Sequence, residues 1–181
     1  MTNEETKRTS KFLSLVLRHE PGKVGLQLDE AGWVKVSDLL AALQHHGKRL
    51  TREQLDHVVN TSDKKRYAYS DDGEFIRANQ GHSVAVDLQY PPQPPPETLY
   101  HGTATRFLED IRKDGLQRMA RHDVHLSVET KVTMQVGGRH GKPTLLVIRA
   151  GEMHRAGHVF RCSANNVWLV ECVPPQYIDF P

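Results

Sequence analysis

The chain has 181 residues, 38% of them apolar, and a formal charge of +2 at pH 7, enough to build one domain or two small ones around a core. No stretch approaches the ~18 apolar residues of a membrane span, and Met1 to Thr9 lacks the apolar run of a secretory signal, so a soluble, cytoplasmic, monomeric protein is expected. The small net charge excludes a polycation, and any nucleic-acid binding must come from cations focused at one site.

Phe12, Leu13, Leu15, Val16 and Leu17 predict a helix ended by Glu20-Pro21-Gly22, which places Arg18 and His19 in its last turn. Leu26 to Leu28 and Trp33 to Val36 read as a small hairpin around Asp29 to Gly32, with Ser37 capping a helix through Leu39, Leu40 and Leu43. Thr51 and Gln54 form a capping box before Leu55, Val58 and Val59. Arg66 to Tyr69 and Phe75 to Arg77 flank Asp71-Asp72-Gly73, the signature of a hairpin. Helices followed by such a hairpin suggest a winged-helix lobe, an arrangement that serves both nucleic-acid and protein contacts.

Tyr90 to Glu97 holds five prolines in six residues, 91–96, which favours a semi-rigid extended linker. The expected organisation is an α+β chain of two lobes, 1–90 and 98–181, joined by a linker at 91–97. Residues 1–92 carry 13 basic and 13 acidic side chains, and 93–181 carry 11 and 9, so neither lobe is a polycation. Beyond the linker, Leu99-Tyr100 leads into His101-Gly102-Thr103, and Thr105 is placed to cap a helix through Phe107, Leu108 and Ile111 that stops at Gly115. Strands are expected at Val124 to Leu126, Thr144 to Ile148, His158 to Arg161 and Val167 to Val170.

Several clusters could carry chemistry. Arg18 and His19 point about 100° apart and either complement the negative end of their helix or straddle an anion. Asp63-Lys64-Lys65-Arg66-Tyr67 is either a solvated basic turn or a phosphate site in which Arg66 offers a bidentate fork and the lysines steer backbone. Asn79-Gln80-Gly81-His82-Ser83 is either a polar turn or a ligand loop. Gly102 allows a ligand close to the backbone, with hydrogen bonds from His101 and Thr103. In Arg121-His122-Asp123-Val124-His125-Leu126-Ser127, alternate residues Asp123, His125 and Ser127 share a strand face, although His125 could equally be a satisfied core histidine.

Eleven histidines raise the question of a metal, but HExxH is absent, and His45-His46 and His122/His125 lack further ligands, so no metal is expected. Cys162 and Cys172 have no CxxC spacing and read as reduced structural thiols. Neither GxGxxG nor a Walker A sequence occurs, so a bound dinucleotide would need another fold than Rossmann or P-loop.

Taken in order, Leu17-Arg18-His19, Lys65-Arg66-Tyr67, Gln80-Gly81-His82-Ser83, His101-Gly102-Thr103 and Arg121 to Ser127 resemble the RNA 2′-phosphotransferase family over nearly the whole chain. The resemblance implies an N-terminal winged-helix lobe that engages RNA and a C-terminal ADP-ribosyltransferase-like lobe that binds NAD⁺. It implies catalytic roles for Arg18, His19, Arg66 and Arg121. It also implies NAD⁺ binding by His101, Gly102, Thr103, His125 and Ser127, and RNA or phosphate contacts from Lys64, Lys65, Gln80, His82 and Ser83.

The implied reaction moves an internal RNA 2′-phosphate to NAD⁺ as co-substrate, through an RNA-2′-phospho-ADP-ribose intermediate. The products are 2′-hydroxyl RNA, ADP-ribose 1″,2″-cyclic phosphate and nicotinamide, the task such enzymes perform in tRNA splicing. Glu171 fits poorly the catalytic glutamate of protein-modifying ADP-ribosyltransferases, as expected when the nucleophile is already an anion. Two other readings stay open: an ADP-ribosyltransferase of nucleic-acid ends, and a non-catalytic winged-helix module.

Overall fold

Thr2 and Glu5 start the first helix: the Glu5 carboxylate accepts the Thr2 N–H at 2.7 Å and the Thr2 hydroxyl accepts the Glu5 N–H at 3.2 Å, a capping box. Helix α1 (Asn3–Arg18) therefore begins well before the Phe12 to Leu17 apolar run. Leu13, Val16 and Leu17 are buried on one face, and the helix stops where Pro21 cannot continue it. The computed structural model describes residues 1–62, 64–130, 133 and 141–181; Asp63, part of the predicted basic turn, lies outside the described residues. The fold is mixed α and β, and the chain divides into two units, Met1–Gln89 and Tyr90–Pro181.

In the first unit, β1 (Val34–Lys35), α2 (Val36–His45), α3 (Arg52–Asn60), β2 (Tyr67–Tyr69) and β3 (Phe75–Ala78) follow α1. The strands form one antiparallel sheet in the order β1-β3-β2. The predicted hairpin between Leu26 to Leu28 and Trp33 to Val36 does not form. Asp29 instead folds the chain on itself, its carboxylate accepting the N–H groups of Ala31 and Trp33, and Val34 pairs with Ile76 of β3. Ser37 lies inside α2, whose N-cap is Lys35, because β1 runs straight into the helix. The Thr51–Gln54 capping box forms at α3 as predicted. Leu13, Leu17, Leu39, Leu43, Leu55 and Ile76 are fully or almost fully buried and close the core between helices and sheet.

In the second unit, β4 (Leu99–Ala104) pairs antiparallel with β7 (Pro143–Ile148) over six residues, so His101, Gly102 and Thr103 lie within a strand rather than after one. After β4 come α4 (Leu108–Asp114), β5 (Leu116–Gln117) and β6 (Val124–Leu126). Beyond β7 come β8 (Arg161–Cys162), β9 (Trp168–Val170), β10 (Cys172–Val173) and β11 (Ile178–Asp179). Thr105 opens a short 3-10 turn instead of capping α4. The strand expected over His158 to Arg161 begins only at Arg161, because the His158 N–H returns to Met153 O and closes the short helix Ala150–Arg155. The sheets run β11-β7-β4, β6-β9-β8 and β10-β5, and Tyr100 and Ser127 exchange two backbone hydrogen bonds that join β4 to the chain leaving β6.

The proline-rich stretch is held against the second unit. The Gln93 N–H donates to Phe160 O at 2.9 Å, the Gly151 N–H donates to Glu97 O at 3.1 Å, and Arg155 grips the Glu97 carboxylate at 2.7 and 3.1 Å.

One buried contact ties the first unit's sheet to its first helix. The Tyr67 hydroxyl, on a residue 4% exposed, donates to Ser10 O at 2.5 Å and lies 2.7 Å from the Ser14 hydroxyl. Tyr67→Phe is expected to lower stability by about 1 kcal/mol, read as a shift in urea unfolding of the full chain. An unchanged midpoint would mean that the hydroxyl does not tie β2 to α1.

Candidate active site

The first unit gathers its predicted residues around the end of α1. Gly81, at φ +86, turns the chain in a conformation that glycine adopts without a Cβ clash. Beyond this turn, the N–H groups of Ser83 and Val84 reach the Arg18 carbonyl at 2.9 and 3.3 Å, satisfying an acceptor that the helix end leaves open. The same turn sets the Ser83 hydroxyl 2.9 Å from His19 Nδ1. Arg18 Nη2 donates to the Arg66 carbonyl at 3.3 Å, and the Asn79 N–H donates to that same oxygen at 2.9 Å. Arg66 is held further by Ser62, whose hydroxyl accepts from its Nη1 at 3.3 Å.

Arg18, His19, Arg66 and Ser83 are thus brought together. Lys65 stands beside them with an exposed side chain and φ +39, its carbonyl taking the Asn79 side-chain amide at 2.6 Å. Lys64 and Gln80 are partly exposed. His82 lies inside, 2% exposed, with its ring against Gly32. Asn79, also 2% exposed, positions the backbone at Lys65 and Arg66. Its sequence signal is weak, since its partners lie 13 and 14 residues earlier.

The second unit gathers its set where β4 and β6 approach. Arg121 Nη1 donates to His125 Nδ1 at 3.2 Å, and His101 Nδ1 donates to the His125 carbonyl at 3.0 Å. These partners assign opposite tautomers: neutral His101 keeps its Nε2 lone pair as an acceptor, while His125 keeps its proton on Nε2 as a donor. Burial pushes the His101 imidazole below the usual histidine range; the His125 carbonyl opposes the shift and the Arg121 charge adds to it. Ser127 is fixed by its backbone pairing with Tyr100, and its hydroxyl accepts the Glu129 N–H at 3.0 Å. Thr103 is buried at 8% exposure.

At Gly102 a Cβ would fall 1.8 Å from the Thr133 carbonyl oxygen. The close approach that this glycine permits is made by the protein's own backbone. Glu171 is exposed and pairs with Arg118 at 3.8 Å. Burial raises the Cys162 thiol, and Cys162 and Cys172 are both free. Among the described residues no group of three His, Cys, Asp or Glu side chains could hold a metal ion, and no helix is long and apolar enough to cross a membrane.

The family model described as "RNA 2′-phosphotransferase, Tpt1 / KptA family" matches residues 4–172. The chain is 55% identical over 174 residues to a protein of Rhodopirellula baltica, covering 96% of this chain and 95% of that one. It is 52% identical over 181 residues to a protein of Streptomyces coelicolor, covering 100% and 98%, and 51% identical over 185 residues to one of Streptomyces griseus, covering 98% of each. All three carry the name "Probable RNA 2′-phosphotransferase".

The folded state holds His101 below its ordinary pKa, so the unfolded chain binds more protons once pH falls through about 6.5. The stability linked to this group is complete above that range and is lost as pH falls below it. His101→Gln removes the titration, and its urea midpoint is expected to decline less between neutral pH and pH values below 6 than the parent's. Parallel declines would contradict the assignment.

Proposed function

Because this chain belongs to the RNA 2′-phosphotransferase, Tpt1 / KptA family, we propose that its two sets of gathered residues divide one reaction between an RNA phosphate and NAD⁺. The chain is an RNA 2′-phosphotransferase, a transferase enzyme. We read Met1–Gln89 as a winged-helix unit, supported by three helices followed by a hairpin whose β3 also pairs with β1. We read Tyr90–Pro181 as an ADP-ribosyltransferase-like unit.

The observation that carries the assignment of NAD⁺ is the chain of contacts from Arg121 through His125 to His101. It sets a cation, an N–H donor and a neutral acceptor side by side, the donor set that fits ribose hydroxyls and a diphosphate. His101 Nε2 accepts a hydrogen bond from a ribose hydroxyl, His125 Nε2 donates one, and Ser127 contributes its hydroxyl. NAD⁺, when bound, supplies an electrophilic ribose carbon from which nicotinamide leaves.

Arg18 and Arg66 bind the RNA 2′-phosphate, with His19, fixed by Ser83, as a further donor, and Arg121 is a further catalytic residue. Guanidinium groups counter the negative charge that builds on the phosphorus oxygens during transfer. The phosphate is an anion before it reacts, so orientation rather than deprotonation makes it a nucleophile. No step of this reading calls on a metal.

An oligoribonucleotide with one internal 2′-phosphate, incubated with NAD⁺, is expected to give 2′-hydroxyl RNA, nicotinamide and ADP-ribose 1″,2″-cyclic phosphate, resolved by mass spectrometry. ADP-ribosylated RNA as the lasting product would point instead to an ADP-ribosyltransferase acting on nucleic acid. Arg18→Ala and Arg66→Ala are each expected to lower kcat on the order of 10²–10³-fold, with little shift in unfolding. Full activity in both would remove these residues from the phosphate site. Arg121→Ala is expected to slow resolution of the intermediate as well as its formation, visible as accumulated RNA-2′-phospho-ADP-ribose.

A further inference from the structure

Beyond Glu5, α1 carries Lys7, Arg8, Lys11 and Arg18, and the next acidic residue in the chain is Glu20, past the helix. At about 100° per residue, Lys7, Lys11 and Arg18 fall within roughly 40° of one another around the axis, on the side opposite buried Leu13 and Val16, while Ser14 between them turns to the Tyr67 hydroxyl of β2. A rise of about 1.5 Å per residue sets Lys11 roughly 10 Å and Lys7 roughly 16 Å from Arg18 along the helix. Both lysines are exposed, and neither takes part in an ion pair among the described residues. Asn3, Glu4, Lys7, Arg8 and Lys11 line an open hollow of about 590 Å³.

A row of this kind is unfavourable for the helix by itself. Lys7 and Lys11 are like charges at i and i+4, a spacing that destabilises by a few tenths of a kcal/mol. Lys11 has Lys7, Arg8, Ser14 and Leu15 at its helical neighbour positions, so no acidic residue on α1 offsets it. The first unit has no excess of basic over acidic residues, so the row is a local concentration of charge rather than part of a basic surface. A polyanion laid along α1 relieves the repulsion, and its end is fixed by Arg18.

We propose that Lys7 and Lys11 bind successive backbone phosphates of the RNA strand flanking the 2′-phosphate, forming a track along α1 that leads to Arg18. The proposal rests on Arg18 as a ligand of the 2′-phosphate and extends that site to the neighbouring nucleotides. On this proposal the track favours longer RNA without base readout, since lysine contacts to phosphate carry no sequence information.

The test compares Lys7→Gln/Lys11→Gln with the charge-matched pair Lys113→Gln/Lys142→Gln in the full chain. Binding of a 2′-phosphorylated oligoribonucleotide is measured without NAD⁺ across a salt series. For two lost phosphate contacts to a single strand, the slope of log K against log salt is expected to fall by about 1.4 in magnitude, while the Lys113/Lys142 pair keeps the parent's slope. With NAD⁺ present, kcat/KM is expected to fall further on the oligoribonucleotide than on a 2′-phosphorylated dinucleotide, which has a single phosphodiester and no run of flanking phosphates to lose.

An unchanged slope in the Lys7/Lys11 pair, equal loss in both pairs, or equal loss on the long and short substrates would overturn the track. Its failure is separable from that of the phosphate site. Arg18→Ala lowers turnover of the dinucleotide if Arg18 holds the 2′-phosphate, whatever the lysines do.

Discussion

The carbonyl oxygen of Arg66 accepts two donors, the Arg18 guanidinium at 3.3 Å and the Asn79 N–H at 2.9 Å, and the first unit is arranged so that all three groups arrive there. α1 must end at Arg18, where Pro21 stops it. The β2–β3 register sets Tyr67 opposite Ala78, which brings Asn79 abreast of Arg66. The Tyr67 hydroxyl then fixes β2 to α1 through Ser10 and Ser14. Residues far apart in sequence thereby share one backbone acceptor, and a hydrogen bond to main chain makes the two arginines neighbours.

Arg18 and His19 sit at the negative end of the α1 dipole, which favours cations there by some tenths of a kcal/mol. Positive charge is thus concentrated at one point of a unit whose basic and acidic residues balance, 13 against 13 over residues 1–92.

How much of this could be read from the sequence depended on how local each device is. The Thr51–Gln54 box and the Asp-Gly turn of the β2–β3 hairpin are complete within a few residues and formed as expected. The Thr2–Glu5 box was equally local but lay in a polar stretch without apolar periodicity. Leu26 to Leu28 has the look of a strand, yet β1 pairs with β3 across some forty residues, a choice that only the assembled core makes. The two-residue strands β5, β10 and β11 exist through distant partners alone. In the site, the residue types at Arg18, His19, Arg66 and Arg121 were legible. The buried placement of His82, the role of Asn79 and the Thr133 carbonyl against Gly102 were not, because each depends on a neighbour brought in by the fold.

In the proposed reaction the second unit meets a different demand with neutral groups. A ribose presents hydroxyls that need both donors and acceptors, and histidine can offer either, depending on where its proton sits. His125 fixes both tautomers at once: its carbonyl takes the proton of His101 Nδ1, and its own Nδ1 takes a proton from Arg121. Keeping His101 neutral is essential to this, since a protonated ring would have no acceptor left. Burial and the nearby Arg121 charge both favour the neutral form. Arg121 therefore acts twice in the proposed reaction, as a cation toward phosphate and, as a smaller addition to burial, in keeping the His101 acceptor uncharged.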